Sequence, residues 1–342
     1  MIYLPPPDPP FMNESRFEIK ADLFPLGTVI NGKLEQKHFE QDNQLEYFLS
    51  ERLYLFETQL EMRRLIRTDD ETGLAESLQR VFGLYAKDHP ELVQLESDGI
   101  ELKYLGLRLR CSSAATRIEP EIERLHPTTL GEKIAGWLER QNGVARLLDA
   151  LALSCQEDIV IMRGSARSDW AETAHAEALS VSFPSGWDPR EKLSENFERI
   201  HEPIADNAKL LKASGNTMKA LLTKGPFIRF SWGLTINPSL DNHPHSPKPE
   251  PEKAWLENPS ELVKHSYLRM ERQTTFPMPD LERGLFSIRI YVTPLLERLE
   301  RDPSLRSRLA RFVASVKPEM LEYKGMAQIT PGILQWLSEE QA

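Results

Sequence analysis

The sequence predicts an α+β protein whose C-terminal half is built on an antiparallel sheet of five strands. Five short segments with β-strand patterning follow residue 156, and two helical stretches separate the second of them from the third. Helical periodicity dominates the residues before 156 and those after 295. We therefore expect the sheet to carry its helices on one side, with helical elaborations at both ends of the chain.

The N-terminal region, predicted as residues 1–155, is mostly helical. Its first residues are rich in proline and predict an extended arm. A break in the last helical segment is expected at Asn142-Gly143. The predicted elements are helices over 43–67, from Thr72 and over 128–154, and one alternating strand over 101–111.

The central region, residues 156–295, has the order strand, strand, helices, strand, strand, strand. The five predicted strands are 158–163, 177–183, 226–236, 266–276 and 284–294. This is the order of a PAS domain, in which a ligand pocket lies between the helices and one face of the sheet, although such an analogy carries no function by itself. Residues 296–342 predict a helical extension with a break at Tyr323-Lys324-Gly325.

One helix of this region ends on a histidine. Asp188 is a suitable N-cap, Glu191 completes a capping box, and Pro203 ends the predicted helix. An apolar stripe is formed by Leu193, Phe197, Ile200 and Ile204, with His201 at its edge. The helix alone favours a core histidine with a satisfied hydrogen bond; the alternative is an axial ligand above a flat apolar cofactor.

Composition excludes several classes of protein. The 342 residues carry a net charge of −10, which argues against a nucleic-acid footprint. Two cysteines, Cys111 and Cys155, are too few for a disulfide scaffold. The first residues lack the pattern of a signal peptide, and no apolar run approaches the ~20 residues of a membrane span, so a cytoplasmic protein without a membrane partner is expected.

The last three predicted strands carry charges where a buried sheet is usually apolar. Alternation places Arg229 with Ser231, Arg269 with Glu271 and Gln273, and Arg289 with Ser287 and Tyr291. Arg272 interrupts the apolar side of its strand and needs an acidic partner. Pattern alone favours an ordinary solvated face. The alternative is the polar wall of a cavity.

Common catalytic signatures are missing from the sequence, which has no GxSxG, Walker, GxGxxG or HExxH motif. His243 and His245 stand two residues apart in a proline-rich loop. They are able to share a metal ion, but this spacing in such a loop more often belongs to solvated side chains.

Several short motifs together resemble one family. They are QEDIVIM (156–162), FPSGW (183–187), IHEPI (200–204), IRFSW (228–232), LRMERQT (268–274) and SIRIYVTPL (287–295). In order and rough spacing they resemble the alpha subunit of the haem-dependent oxidative N-demethylases, or dimethylamine monooxygenases, over roughly residues 15–330.

The resemblance implies a PAS-like fold that binds haem b and oxidises dimethylamine to methylamine and formaldehyde with O₂. Electrons would come from NADPH through a separate reductase subunit. FMN, a 2Fe–2S cluster and tetrahydrofolate are expected on partner subunits, and this chain carries no sequence for binding NADPH, flavin or a cluster.

The resemblance also implies a site. His201 would be the axial iron ligand, and Glu271 would hold the cationic amine. Arg229, Arg269 and Arg289 are candidates for the distal wall or for the haem propionates. The predicted catalytic residues are Glu271, Arg229 and Arg269, and the predicted cofactor-binding residues are His201, Phe197, Ile200, Trp232, Arg272 and Arg289.

The sequence departs from the family pattern at three places, one of which is Thr275-Phe276-Pro277 after the ERQT motif, where basic residues are often found. Pro203-Ile204-Ala205 replaces the usual Pro-Val-Pro, and Ser231 replaces an asparagine in the third strand. A different amine, or lost turnover, is a consequence to test. Two other functions stay open: a haem or small-molecule sensor with a PAS-like fold, and an interaction protein in which His201 is an ordinary core residue.

Overall fold

The computed structural model describes residues 16–18, 22–110, 120–126, 128–165, 173–201, 212 and 214–339. Phe197 and His201 are described by their backbone alone. The strands are β1 (Phe24–Pro25), β2 (Thr28–Ile30), β3 (Lys33–Glu35), β4 (Arg64–Ile66), β5 (Val93–Glu96), β6 (Gly99–Leu102), β7 (Leu107–Arg110), β8 (Glu121–Arg124), β9 (Asp158–Arg163), β10 (His175–Ser180), β11 (Phe227–Thr235), β12 (Tyr267–Met278) and β13 (Arg283–Pro294).

Helices account for most of the remaining ordered elements. They are α1 (Leu45–Arg63), α2 (Glu71–Asp88), α3 (Thr129–Glu139), α4 (Gly143–Ala152), α5 (Phe197–His201), α6 (Ser214–Thr223), α7 (Lys253–Leu256), α8 (Pro259–Lys264), α9 (Leu295–Arg301), α10 (Leu305–Ala314), α11 (Pro318–Tyr323) and α12 (Thr330–Glu339). No helix among these residues is long and apolar enough to cross a membrane.

The largest sheet in the described residues has seven antiparallel strands rather than five, in the order β1-β11-β12-β13-β9-β10-β4. The five predicted strands occupy its middle. The edges β1 and β4 come from the N-terminal region, where two- and three-residue strands give too short an alternation to be recognised from sequence.

Helices pack on both faces of this sheet, so the predicted grouping on one side is wrong. Alternate residues of β9 point in opposite directions. Ile159 and Ile161 join a core that contains the inner faces of α2 and α4. Met162 instead packs with Met218 and Leu222 of α6.

The N-terminal region is less helical than predicted, because β5–β8 form a four-stranded antiparallel sheet. The single strand expected over 101–111 is a hairpin of β6 and β7. Gly106, at a φ of 68°, allows the turn between them, and its N–H bonds to the carbonyl of Lys103. The break at Asn142-Gly143 is confirmed, since α3 ends at Glu139 and α4 begins at Gly143.

The helix predicted from Asp188 to Pro203 is not continuous. The Asp188 carboxylate accepts from the Arg190 N–H as predicted for a cap, but only a 3-10 turn, Pro189–Glu191, follows. Ser194 then adopts a φ of 63° and its N–H bonds to the carbonyl of Ala176 on β10. Docking onto the sheet therefore replaces the middle of the predicted helix, and α-helix resumes only at α5.

Candidate functional site

A large cavity lies over one face of the central sheet, below α6 and the loops that follow β10 and β11. Its volume is about 1090 Å³, just above the usual range for small-molecule and cofactor sites. One side of the cavity is polar and the other is apolar. The register of the sheet produces this division.

The polar side is built by alternate residues of β11 and β12. Arg229 lies opposite Gln273, and Ser231 lies opposite Glu271, so four polar side chains share one patch. Glu271 is 6% exposed, and one of its oxygens accepts a 2.5 Å hydrogen bond from the Gln273 amide. We call these four residues the polar wall.

The polar wall holds hydrogen-bonding capacity that no described residue uses. The Arg229 Nε and the Gln273 Oε1 are buried atoms without a partner in the described part of the chain. Burial lowers the pKa of Arg229, while the charges of Glu271 and Asp22 oppose that effect. Unpaired buried donors and acceptors are costly, and such groups recur at ligand sites.

Lys324 reaches the polar wall from the C-terminal helices. It follows the last residue of α11 and its Nζ donates a 2.6 Å hydrogen bond to the Trp232 carbonyl. Burial lowers the pKa of Lys324 to about 8, an effect that Glu271 opposes and Arg229 reinforces. The sequence predicted a break at this position and the break is confirmed, but no motif indicated that the lysine would reach the sheet.

The apolar side of the cavity comes from the neighbouring strands β13, β9 and β10. Glu271 and Gln273 lie opposite Ile290 and Ile288, so the same face becomes apolar one strand further on. This apolar wall is formed by Val160, Met162, Ala176, Leu179, Phe286 and Ile288. Sequence reasoning missed it, because each strand contributes only two of these residues.

The end of α5 borders the same cavity. Ile200 lines it, as the predicted site requires, and the Lys192 side chain donates to the Ile200 carbonyl at 3.2 Å. His201 is the last residue of α5, so its backbone lies one position beyond a cavity residue. The side chains of Phe197 and His201, and all of residues 202–211, lie outside the part of the chain that the structure describes.

Arg269 borders the cavity, but its donors are occupied by protein groups. The guanidinium donates to the Ser185 hydroxyl at 2.9 Å and to four carbonyls, those of Phe183, Pro184, Ser239 and Leu240. Burial lowers the pKa of Arg269 to about 10. This arginine joins the FPSGW turn to the loop after β11, and the geometry indicates a positioning role rather than the predicted contact with substrate.

Arg272 and Arg289 lie on the opposite face of the sheet and do not border the cavity, so the structure does not bring them together with the other predicted site residues. They are direct cross-strand neighbours on β12 and β13. Arg272 bonds Glu35 at 2.9 Å and lies 3.6 Å from Glu40. The acidic partners that Arg272 was predicted to need therefore come from the last residue of β3 and from the segment that follows it.

Arg289 is equally enclosed. It pairs with Asp42 at 3.3 Å, and its guanidinium carbon lies 4.1 Å from the ring centre of Phe48. Its Nη1 donates to the Ile290 carbonyl. The residues that share its strand face are Ser287 and Tyr291, as alternation predicted.

Trp232 packs mainly into the core between the sheet and the C-terminal helices. Its ring centre lies 5.2 Å from that of Phe312. The residue also borders the cavity, where its carbonyl receives Lys324. Direct contact of its indole ring with a cofactor stays a prediction.

His243 is fully buried rather than solvated. Its Nε2 lies 3.4 Å from the Asp188 carboxylate, and its Nδ1 accepts from the His245 N–H at 3.2 Å. Burial of the Asp188 carboxylate raises its pKa. Hydrogen bonds from Arg190 outweigh that effect, and the pKa of Asp188 is lowered to about 2. Within the described residues, no group of three or more His, Cys, Asp or Glu side chains is placed to hold a metal ion.

A comparison with protein families gives a match that covers residues 32–334. The matched family is described as "Haem-dependent oxidative N-demethylase, alpha subunit-like". The matched residues include the polar wall, the apolar wall and α5. The chain therefore belongs to the haem-dependent oxidative N-demethylase, alpha subunit-like family.

Proposed function

We propose that this chain catalyses the haem-dependent oxidative N-demethylation of a small secondary amine. The observation that carries the proposal is a single cavity with an apolar wall, a polar wall containing a carboxylate, and a border formed by the helix that ends at His201. Dimethylamine is the candidate substrate, giving methylamine and formaldehyde. O₂, two electrons and two protons balance the reaction, with water as the other product.

The residues of the cavity fit haem. A flat macrocycle needs an apolar contact surface, which Met162, Leu179 and Phe286 provide. Its propionates need cations, and Arg229 and Lys324 border the cavity. The unpartnered Arg229 Nε is a donor that such a group would satisfy. His201, one residue beyond Ile200, would supply the iron ligand.

Bound haem would supply the redox chemistry that activates O₂, and the chain would bind and orient the haem and the amine. Dimethylamine is mostly a cation at neutral pH, so a buried carboxylate is the group that would bind it. Gln273 donates to one Glu271 oxygen and so fixes the carboxylate plane. The other oxygen is then able to accept an amine N–H and to receive a proton from the bound ammonium.

The proposal includes a PAS-like core formed by the five predicted strands and the helices over the cavity, with β1 and β4 as additions at the edges. It also includes partners. Electrons would come from an NADPH-dependent reductase carrying FMN and a 2Fe–2S cluster, and tetrahydrofolate would take up the one-carbon product on another subunit. Ser231 stands in the polar wall where the family has asparagine, which supports testing several amines.

Haem titration of the purified apo-protein tests the cofactor assignment. Wild type should bind one haem per chain with a sharp Soret band, and His201→Ala should lose that band or shift it. His265→Ala is the matched control, because His265 stacks on Trp255 with ring centres 4.0 Å apart, away from the cavity. An unchanged spectrum and stoichiometry in His201→Ala would remove His201 from the ligand role.

Turnover is tested with a cognate reductase. The proposal predicts formaldehyde that depends on NADPH and on a secondary methylamine, and a loss of at least about a hundredfold in Glu271→Gln. Formaldehyde separates the enzyme from the sensor alternative, which would respond to an amine by a spectral change only. If no secondary or tertiary methylamine yields formaldehyde, the chain is not a demethylase.

A further inference from the structure

Two cations and one carboxylate border the polar part of the cavity without forming ion pairs with one another. Glu271, Arg229 and Lys324 influence each other electrostatically. Among the described residues, none of the three has a salt-bridge partner within 4 Å. All three line the same cavity, and charges that face one cavity without contacting each other leave space between them for a ligand.

Three arginines that are buried elsewhere in the chain do have carboxylate partners. Arg52, Arg63 and Arg283 each contact a carboxylate, at 3.1 Å, 2.9 Å and 2.7 Å. Their partners are Asp158, Asp241 and Glu177. Arg269 is also buried without a carboxylate, but its donors are occupied by backbone carbonyls. Arg229 and Lys324 are half-buried at the cavity, and neither has a carboxylate partner within the described residues.

Both cations keep donors for a ligand. The Arg229 Nε has no hydrogen-bond partner in the described residues. An ammonium group has three donors, and the Lys324 hydrogen bond within the described residues uses one of them, to Trp232. A planar group with two acceptor oxygens matches a guanidinium and an ammonium that approach from different elements.

We propose that Arg229 and Lys324 form a carboxylate-binding subsite beside Glu271. The carboxylate would come either from a haem propionate or from a substrate that carries both a secondary amine and a carboxylate, as N-methyl amino acids do. In the second case Glu271 binds the ammonium while the two cations bind the carboxylate. A bare dialkylammonium ion would use Glu271 alone, because both other charges repel it.

The first experiment needs no haem. Apo-protein is titrated with ¹³C-acetate by NMR and, separately, with dimethylammonium chloride by thermal shift. Lys324→Met and Arg229→Met should each weaken acetate binding by about tenfold or more. Neither variant should weaken dimethylammonium binding, since a repelling charge has been removed. Weaker acetate binding with undiminished dimethylammonium binding indicates a lost subsite, whereas an unfolded variant would lose both.

Matched variants keep the first experiment specific. Lys324→Arg should retain acetate binding, because it retains the charge. Lys253→Met removes an exposed lysine of α7 that does not border the cavity, and acetate binding should stay as in wild type. Equal acetate affinities in wild type, Lys324→Met and Arg229→Met would overturn the subsite.

The second experiment identifies the source of the carboxylate, and this part rests on the proposed function. Haem and haem dimethyl ester, which lacks the propionate charges, are titrated in parallel. If propionates occupy the subsite, wild type should prefer haem by about tenfold or more, and Lys324→Met should lose the preference. If a substrate occupies it, both porphyrins should bind alike and haem-loaded protein should bind N-methylglycine in a Lys324-dependent way.

The two experiments separate two failures. Acetate binding that depends on Lys324 in a protein that binds neither porphyrin would support the subsite and contradict haem binding. The subsite would be contradicted if wild type bound haem and haem dimethyl ester alike and if Lys324→Met bound acetate as wild type does. The proposed function would then remain possible, because haem still binds.

Discussion

The charged residues on the two faces of β12 differ in whether they form ion pairs. On the face away from the cavity, Arg272 is held by Glu35 at 2.9 Å and by the Lys37 carbonyl at 2.7 Å. One residue earlier and on the cavity face, Glu271 has Gln273 as its hydrogen-bond partner within the described residues. Both residues are almost fully buried, so burial does not explain the difference.

The difference separates structural charges from charges that are available to a ligand. A buried charge that only stabilises the fold must be paired, because an unpaired one costs several kcal/mol. Arg269 sharpens this distinction, since it borders the cavity and yet is fully bonded to the loops around it. A charged residue at the cavity is therefore available to a ligand only if other protein groups do not already occupy its hydrogen-bonding atoms.

Removing a charge from the paired face should give the largest loss of stability. Arg272→Met leaves Glu35 and Glu40 buried without this partner, which should lower the free energy of unfolding by about 3–5 kcal/mol. Urea denaturation followed by circular dichroism measures the change. Arg110→Met is the control, because Arg110 is 48% exposed and its surface ion pairs should contribute less than about 1 kcal/mol.

Arg269→Met should come next, because it leaves several buried carbonyls without a donor. We expect a loss of about 2–4 kcal/mol in the free energy of unfolding. Arg269→Lys should recover only part of that loss, since an ammonium has three donors and lacks the planar fork. A stability equal to wild type in Arg269→Met would place this arginine among the ligand-binding charges instead.

Glu271→Gln should reverse the pattern, with little effect on stability and a large effect on ligand binding. The free energy of unfolding should change by less than about 1 kcal/mol, since Glu271 has no ion-pair partner within 4 Å among the described residues. Dimethylammonium affinity should fall by about tenfold or more. A severe loss of stability with unchanged amine affinity would assign Glu271 to the structural charges.

Lys324 should have its effect on the pH dependence of stability. Burial lowers its pKa from 10.5 to about 8 in the folded protein, an effect that Glu271 opposes and Arg229 reinforces. Between these two values the unfolded chain binds a proton that the folded protein has released, so this group makes stability rise with pH in that window.

Lys324→Met should remove this contribution to the slope, and Lys253→Met should keep it. Thermal denaturation between pH 7.5 and pH 10.5 compares the three proteins over the window defined by the two pKa values. Identical slopes in wild type and Lys324→Met would show that the lysine is not desolvated at the polar wall.

The strands could be predicted from the sequence because alternation is a local signal. It placed Arg269 with Glu271, and Arg289 with Ser287 and Tyr291, on the faces that the structure shows. Which of these faces borders a cavity depends on the register between strands. Glu35 and Asp42, which pair with Arg272 and Arg289, lie more than 200 residues away in a segment without periodicity.

The candidate site was less predictable than the strands for the same physical reason. Lys324 reaches the polar wall from the end of a short helix far along the chain, and the apolar wall combines two residues from each of three strands. Around Asp188 the local signal was partly right. The cap forms, but the tertiary contact between Ser194 and Ala176 replaces the helix that propensity favoured.

Blocking the cavity itself tests the central claim most directly, namely that the open face of the sheet is the haem site. Ala176 lines the apolar wall, so Ala176→Trp should place a ring where the macrocycle would lie against that wall. Leu95→Trp adds the same ring at an exposed position of β5. Haem titration should give one haem per chain and a Soret band in wild type and Leu95→Trp, and none in folded Ala176→Trp. Wild-type haem binding in Ala176→Trp would contradict the account.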